Sequence, residues 1–250
     1  MGSGSIEVAH VLSGYDALSD CDVVHDHTLL GPLLASRQRG GKAHQEVVTT
    51  AHGRLDGDDR ALYAEVAAHV PVIAISRAQA RSAPVRPVAV IHHAVDTAAQ
   101  TLGRGDGQYV AFVGRMSADK GVDRAIAVAR GRRPLAHRVA KMSEPGEREY
   151  FESRVRPHLG PGVDYLGELR AAEKFSLLAD AQALLNPIAW PEPFGLVMIE
   201  ALAVGTPVIA SPLGAGPEIV RPGRNGWLCR DLSDFVSAVG AARTLSRRGA

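Results

Sequence analysis

Two glutamates stand with seven residues between them in WPEPFGLVMIEALAVGTPVIAS, Trp190 to Ser211. From Leu196 to Val204 every residue is apolar except Glu200, while Glu192 precedes Pro193. An ionised carboxylate among apolar side chains is costly unless it is paired or hydrogen-bonded. Pro193 suits the first turn of a helix, so the pattern predicts a helix with Leu196, Ile199, Glu200 and Ala203 on one face and Glu192 at its mouth. The backbone N–H groups of Phe194, Gly195 and Leu196 then form an anion site at the helix start. Carboxylates beside such a site are good acceptors for sugar and ribose hydroxyls. Taken singly, each has a simpler reading: Glu200 facing solvent, Glu192 complementing the helix dipole.

A second cluster lies in YVAFVGRMSADKGVDRAIAVA, Tyr109 to Ala129, where an apolar run ends in Gly114-Arg115 and a loop leads to Lys120-Gly121 and a helical pattern. Ligands of open α/β sheets bind at the carboxyl ends of strands. Two cations there suit a diphosphate, arginine by its fork and lysine as a point charge. A solvated charge pair in a loop is the ordinary alternative. Histidines supply the third group. His52 ends the run EVVTTAH, and His25 and His27 alternate along DVVHDH, which would put both on one strand face and Asp26 on the other. Two imidazoles could begin a metal site, but no cysteine or acidic ligand pattern completes it, so a strand-end role is expected instead.

The elements that must position these residues read as alternating strand and helix. Continuous apolar runs cover Asp22–His27, Glu46–Gly53, Val70–Ser76, Pro87–His93, Gln108–Arg115, Val163–Gly167, Gln182–Pro187 and Thr206–Ser211, as expected of strands buried on both faces. Helical patterns cover the opening segment, Asp58–His69, Gly121–Gly131, Pro145–Leu159 and Leu169–Ala181. This alternation argues α/β with a mostly parallel sheet. The small, polar segment Thr97–Gln108 reads as a linker. The first block holds only about four strands, where a doubly wound domain takes roughly 150 residues, so it reads as incomplete.

Composition narrows the function classes. The 250 residues carry a net charge of +1, which gives no general attraction for nucleic acid or acidic membranes. Two cysteines, Cys21 and Cys229, do not make a disulfide scaffold, and a reducing cytoplasm fits. No apolar run approaches the roughly 20 residues of a membrane span, and the N-terminus has no signal-peptide pattern.

FVGRMSADKG, YLGEL and EPFGLVMIEALAVGTPVIAS, followed by GAGPEIV and NGW, resemble the donor domain of family 4 glycosyltransferases. The resemblance runs from about Asp22 to Trp227 and is strongest in Tyr109–Trp227. It implies a GT-B architecture of two Rossmann-like, doubly wound domains: residues 1–98 a partial acceptor-side domain, 107–241 the nucleotide-sugar domain and 242–250 a tail. The glutamate pair matches the family's Glu-x7-Glu. By this resemblance Gly114, Arg115 and Lys120 hold the donor diphosphate. Glu192 meets the donor sugar beside the N–H groups of Phe194, Gly195 and Leu196, and Glu200 holds the ribose. The segment from Tyr165 and Leu166 to Leu169 lies near the nucleobase, and His52 contacts the sugar beside the reacting carbon. Catalytic roles are thus implied for His52, Glu192, Arg115 and Lys120. VIAISRAQA and IHHAVDT resemble segments of the interdomain junction, with Ala94 where the family has glycine.

The implied reaction is retaining transfer of a sugar from a nucleotide diphosphate to an acceptor hydroxyl, with no cofactor and no required metal. The implied location is cytoplasmic, peripheral to the membrane if the acceptor is a lipid. Three departures accompany the match. The family's opening strand and glycine-rich loop do not precede the matched region, the sequence given ends at SRRGA, and His137 and Arg138 interrupt the apolar strand expected at Pro134–Met142. A fragment truncated at both ends is therefore expected. Two alternatives stand beside transfer: a non-catalytic nucleotide-sugar-binding remnant, and a GT-B epimerase, whose Glu-x7-Glu context fits less well.

Overall fold

The computed structural model describes residues 3–37, 46–131 and 135–249. Two compact units divide the chain, Met1–His93 and Ala94–Ala250. Among the described residues no helix is long and apolar enough to cross a membrane.

The first unit runs α1 (Ser3–Ala17), β1 (Val23–Asp26), α2 (Gly31–Arg37), β2 (Glu46–Ala51), α3 (Arg60–His69), β3 (Val72–Ala74), α4 (Arg77–Ser82) and β4 (Ala89–Val90). Its four strands lie side by side in chain order and pair in parallel. Parallel neighbours need crossover connections, and α2, α3 and α4 supply them. Ala51, Leu55, Tyr63, Val66, Val72 and Ala74 form one core cluster, and Val11, Tyr15 and Val24 form another. Burial of these side chains is the main force holding the sheet to its helices. Ser76 caps α4 by accepting from Gln79 N, at 2.9 Å.

The second unit runs β5 (Tyr109–Arg115), α5 (Val122–Gly131), β6 (Leu135–Lys141), α6 (Pro145–Tyr150), β7 (Val163–Tyr165), α7 (Ala171–Asp180), β8 (Leu184–Asn186), α8 (Leu196–Ala203), β9 (Val208–Ala210), α9 (Gly216–Ile219), β10 (Gly226–Leu228) and α10 (Leu232–Ala242). Six parallel strands take the order β10-β9-β8-β5-β6-β7. This is the doubly wound Rossmann order, in which winding reverses between the first and fourth strands of the unit. Here that crevice falls between β5 and β8. Alternation along β5 sends Val110 and Phe112 into a core with α5 and α10, and Ala111 into a core with α7 and α8. Both faces are thereby covered, as the continuous apolar runs require.

Four details refine the sequence expectation. The Pro145–Leu159 pattern is not one α-helix: α6 gives way to a π-helical turn over Phe151–Val155 and a 3-10 turn over Arg156–His158. Pro157 has no N–H to donate, so regular α-helix could not continue through it. The polar-interrupted segment at 135–141 does form β6, paired with β5 along seven residues, because the ladder is made by backbone groups whatever the side chains. The segment read as a linker is tied into the second unit, with Gly103 N donating to Val204 O at 2.9 Å and Gly107 N to Asp180 O at 2.9 Å. Arg247, in the segment read as a tail, is half-buried there. It donates to Gly103 O at 2.9 Å, Ala181 O at 3.0 Å, Ala179 O at 2.7 Å and Thr206 Oγ1 at 2.6 Å.

Candidate functional site

The crevice between β5 and β8 gathers most of the predicted residues. β5 ends at Arg115, and its loop turns through a 3-10 turn at Ala118–Lys120 into Gly121. Gly121 has φ 73°, a left-handed conformation that side chains disfavour, and a Cβ there would lie 2.9 Å from the Pro187 carbonyl carbon. The β5 and β8 loops therefore approach closely, and Asp119 O accepts from Ala189 N at 2.8 Å.

Within this junction Lys120 Nζ bonds Glu192 Oε1 and lies 5.0 Å from the Trp190 ring centroid. Lys174, on α7, bonds Glu200 Oε1 at 2.6 Å. The Lys120 and Glu192 side chains are 14% and 16% exposed, and those of Lys174 and Glu200 are 23% and 16%, so both pairs are largely shielded yet reachable from solvent. These pairs answer the burial problem the sequence poses: each carboxylate is compensated by a lysine. Arg115 is more open. Its Nη2 lies 3.3 Å from Asp119 Oδ2 and its Nη1 4.0 Å from Glu147 Oε1. Glu147 is itself held by Ser143 N at 2.7 Å and Glu144 N at 3.3 Å.

The helix carrying Glu200 departs from expectation. α8 starts at Leu196, not near Pro193, because Gly195 at φ 90° turns the backbone out of the helical path. Of Phe194, Gly195 and Leu196, only Leu196 contributes a first-turn N–H. Met198 and Ala201 are the buried residues of α8, whereas Leu196 is 46% exposed. The face of Leu196, Ile199, Glu200 and Ala203 is thus the partly open one, which suits a carboxylate meant for a ligand. Tyr165 ends β7 with its ring 4.9 Å from Phe151, followed by exposed Leu166. Gly114 lies one residue before the end of β5.

Four groups escaped the sequence reading. Lys174 looks like any surface lysine of an amphipathic helix until the fold places it on Glu200. Ser117 Oγ, Asn186 Nδ2 and Trp190 Nε1 are buried polar atoms that make no hydrogen bond among the described residues. All three lie at or just after the ends of β5 and β8. Buried polar groups are nearly always satisfied, which sets these three atoms apart.

In the first unit His52 follows the end of β2. Buried Gln79 fixes its backbone: Gln79 Nε2 donates to Ala51 O at 2.8 Å and to Gly53 O at 2.7 Å, while its Oε1 accepts from Ile75 N at 2.7 Å. His25 and His27 do share a face, with ring centroids 4.3 Å apart. Asp26 is buried away from them, taken up by the Tyr15 hydroxyl and Thr28 N. Among the described residues no group of histidine, cysteine or acidic side chains has the geometry of a metal site.

Comparison with known proteins agrees with this reading of the fold. A model of the family "Glycosyl transferases group 1" matches residues 107–243. The chain is 35% identical to a glycogen synthase of Mycobacterium tuberculosis over 134 residues, covering 51% of this chain and 32% of the relative. It is 34% identical to an alpha-maltose-1-phosphate synthase of Mycolicibacterium smegmatis, covering 48% and 32%. The matches thus span about a third of the length of these curated relatives. Among solved structures, HepE of Anabaena in complex with UDP and glucose superposes with a TM-score of 0.80 at 19% identity, covering 97% of this chain and 74% of that one. The sucrose-phosphate synthase of Thermosynechococcus elongatus gives 0.77 at 21%, covering 94% and 70%. At such identities the superpositions show a shared fold. With more than half of its residues inside the family match, the chain belongs to the glycosyl transferases group 1 family and has a GT-B fold.

Proposed function

We propose that the chain takes part in transfer of a sugar from a nucleotide diphosphate sugar to an acceptor hydroxyl, with retention of configuration. The observation that supports the reading is the set of groups carried by the loops and helices that follow β5 and β8: Arg115 and the lysine-held carboxylates Glu192 and Glu200. HepE was solved with UDP and glucose, and a nucleotide sugar suits this set of groups. Arg115 and Lys120, beside Gly114, bind the diphosphate and stabilise the charge that develops on it as the sugar leaves. Glu192 accepts from hydroxyls of the donor sugar, near Phe194, Gly195 and the Leu196 N–H. Glu200 accepts from the ribose, and Tyr165 and Leu166 flank the base. His52 belongs to the sugar side of the reaction. The chemistry needs no cofactor and no metal, because cationic side chains offset the diphosphate charge. A cytoplasmic location follows from where nucleotide sugars are found.

Calorimetric titration with UDP, GDP and ADP tests this reading, with Arg115→Ala alongside. Binding of one nucleotide, weakened at least tenfold in the variant, is expected. Binding of none removes the donor-site assignment, and binding without turnover of any nucleotide sugar favours a non-catalytic binding module.

A further inference from the structure

Arg115 faces two carboxylates that differ in how firmly they are themselves placed. Its Nη2 lies 3.3 Å from Asp119 Oδ2, and its Nη1 lies 4.0 Å from Glu147 Oε1. Asp119 belongs to the same loop as the arginine and moves with it. Glu147 comes from another segment, and its side chain is 8% exposed against 50% for Arg115. β5 and β6 pair in register as far as Arg115 and Lys141. The two strands therefore end level, and the start of α6, which follows β6, can put a side chain beside the arginine.

Glu147 is a fixed group. Its Oε2 accepts from Ser143 N at 2.7 Å and from Glu144 N at 3.3 Å. α6 runs on into the turn whose Phe151 and Val155 are buried in the core with β5 and α5. Capping the helix engages Oε2, whereas Oε1 is the oxygen that faces Arg115. A separation of 4.0 Å is beyond hydrogen-bonding distance. Glu147 thus draws Nη1 by charge and leaves the Nη1 N–H groups for another acceptor. Held at two nitrogens from two segments, the planar guanidinium cannot pivot as it could about a single contact. A long side chain that is ordered only on binding weakens the binding by the rotamer freedom it loses, and a fork oriented beforehand loses less. The negative charge of Glu147 works against an anionic ligand, so what it contributes to the site is orientation.

We propose that Glu147 is a positioning residue, which aims the Arg115 fork at the diphosphate of the donor. The diphosphate rests on the glycosyl-transfer reading; the hold of Glu147 on Arg115 does not.

Glu147→Gln separates orientation from capping, because the amide oxygen can still accept from Ser143 N and Glu144 N while the charge is gone. Its denaturant midpoint is expected to match that of the unmodified chain. In calorimetric titrations with UDP, GDP and ADP, the nucleotide that binds should bind about threefold to tenfold more weakly to Glu147→Gln. The same substitution made in Arg115→Ala should weaken it no further. Unchanged or tighter binding in Glu147→Gln overturns the proposal, and so does an equal loss in both backgrounds. Nitrogen-15 NMR of the Arg115 side chain, assigned by its absence in Arg115→Ala, reads the hold without a ligand. Exchange between Nη1 and Nη2 is expected to be slow in the unmodified chain and faster in Glu147→Gln; equal rates in the two overturn the hold. Asp119→Asn leaves α6 intact and gives a second reading should Glu147→Gln not fold. Exchange should stay slow there, since Glu147 still draws Nη1, and exchange as fast as in a free arginine side chain overturns the hold. If no nucleotide binds the unmodified chain, the donor-site reading fails and the diphosphate role with it, while the exchange rates still decide whether Glu147 orients Arg115.

Discussion

A carboxylate held by a lysine differs as an acceptor from one in bulk water, because its position is fixed before a ligand arrives. Lys120 fixes Glu192 and Lys174 fixes Glu200, and the two pairs should answer to different parts of a nucleotide sugar. Glu200→Ala is expected to weaken free nucleotide about tenfold, or about 1.4 kcal/mol. Glu192→Ala should spare free nucleotide and weaken the nucleotide sugar by a similar factor. Calorimetry with both ligands checks this division, and equal losses on both would contradict it. Because Lys174 and Glu200 touch, a Lys174→Ala and Glu200→Ala cycle should be non-additive by about 0.5–3 kcal/mol in stability or binding. The contacts of His52 with His27, at 2.8 Å, and with His93, at 3.4 Å, have a pH consequence. His52 and His93 have pKa values lowered by folding. Below 6.5 the unfolded chain therefore takes up protons that the folded chain resists. Stability of the first unit should rise with pH from the lowered values up to 6.5, then level off. Denaturant melts of the full chain at pH 5.5 and 7.5, followed by a first-unit probe, measure this. A steeper pH dependence in His52→Phe than in the unmodified chain would count against it.

At the scale of elements, one glycine decides how close two strand-end loops come. Gly121→Ala would force a side chain into a left-handed backbone and against the Pro187 carbonyl. A cost of about 1–3 kcal/mol is expected, together with weaker nucleotide binding as Lys120 is displaced. Denaturant midpoints and calorimetry read the two effects separately. The same loops show what the sequence discloses. β5 and β8 are legible because strands covered on both faces must be apolar throughout, and Arg115, Lys120, Glu192 and Glu200 are legible because their spacing follows those strands. The start of α8 is not, since Pro193 is compatible with a helix and only the observed φ of Gly195 excludes it. β10 is not legible either, since its Gly-Trp-Leu carries no β-branched residue and opens on a glycine. Lys174, Asn186 and Trp190 acquire meaning only when distant segments meet, and no local pattern distinguishes them. His27, His52 and His93 are similar: they come from three separate segments, and only the parallel register brings them together.

At the scale of the molecule, the second unit is joined to itself across its whole length. Arg247→Ala would remove donors from three carbonyls and the Thr206 hydroxyl. A loss of about 2–4 kcal/mol is expected, read as a lower denaturant midpoint for the second unit with the first unchanged; an unaltered midpoint would show the contacts to be incidental. The same residue bears on synthesis. Gly103, Ala179, Ala181 and Thr206 all leave the ribosome well before Arg247, so the bonds it makes to them are among the last that the second unit forms. Domains tend to fold in order as they are made, and the four strands of the first unit close on themselves by residue 90. The first unit can therefore fold while the second is still being translated, whereas the Arg247 contacts close the second unit only after its last strand has been made.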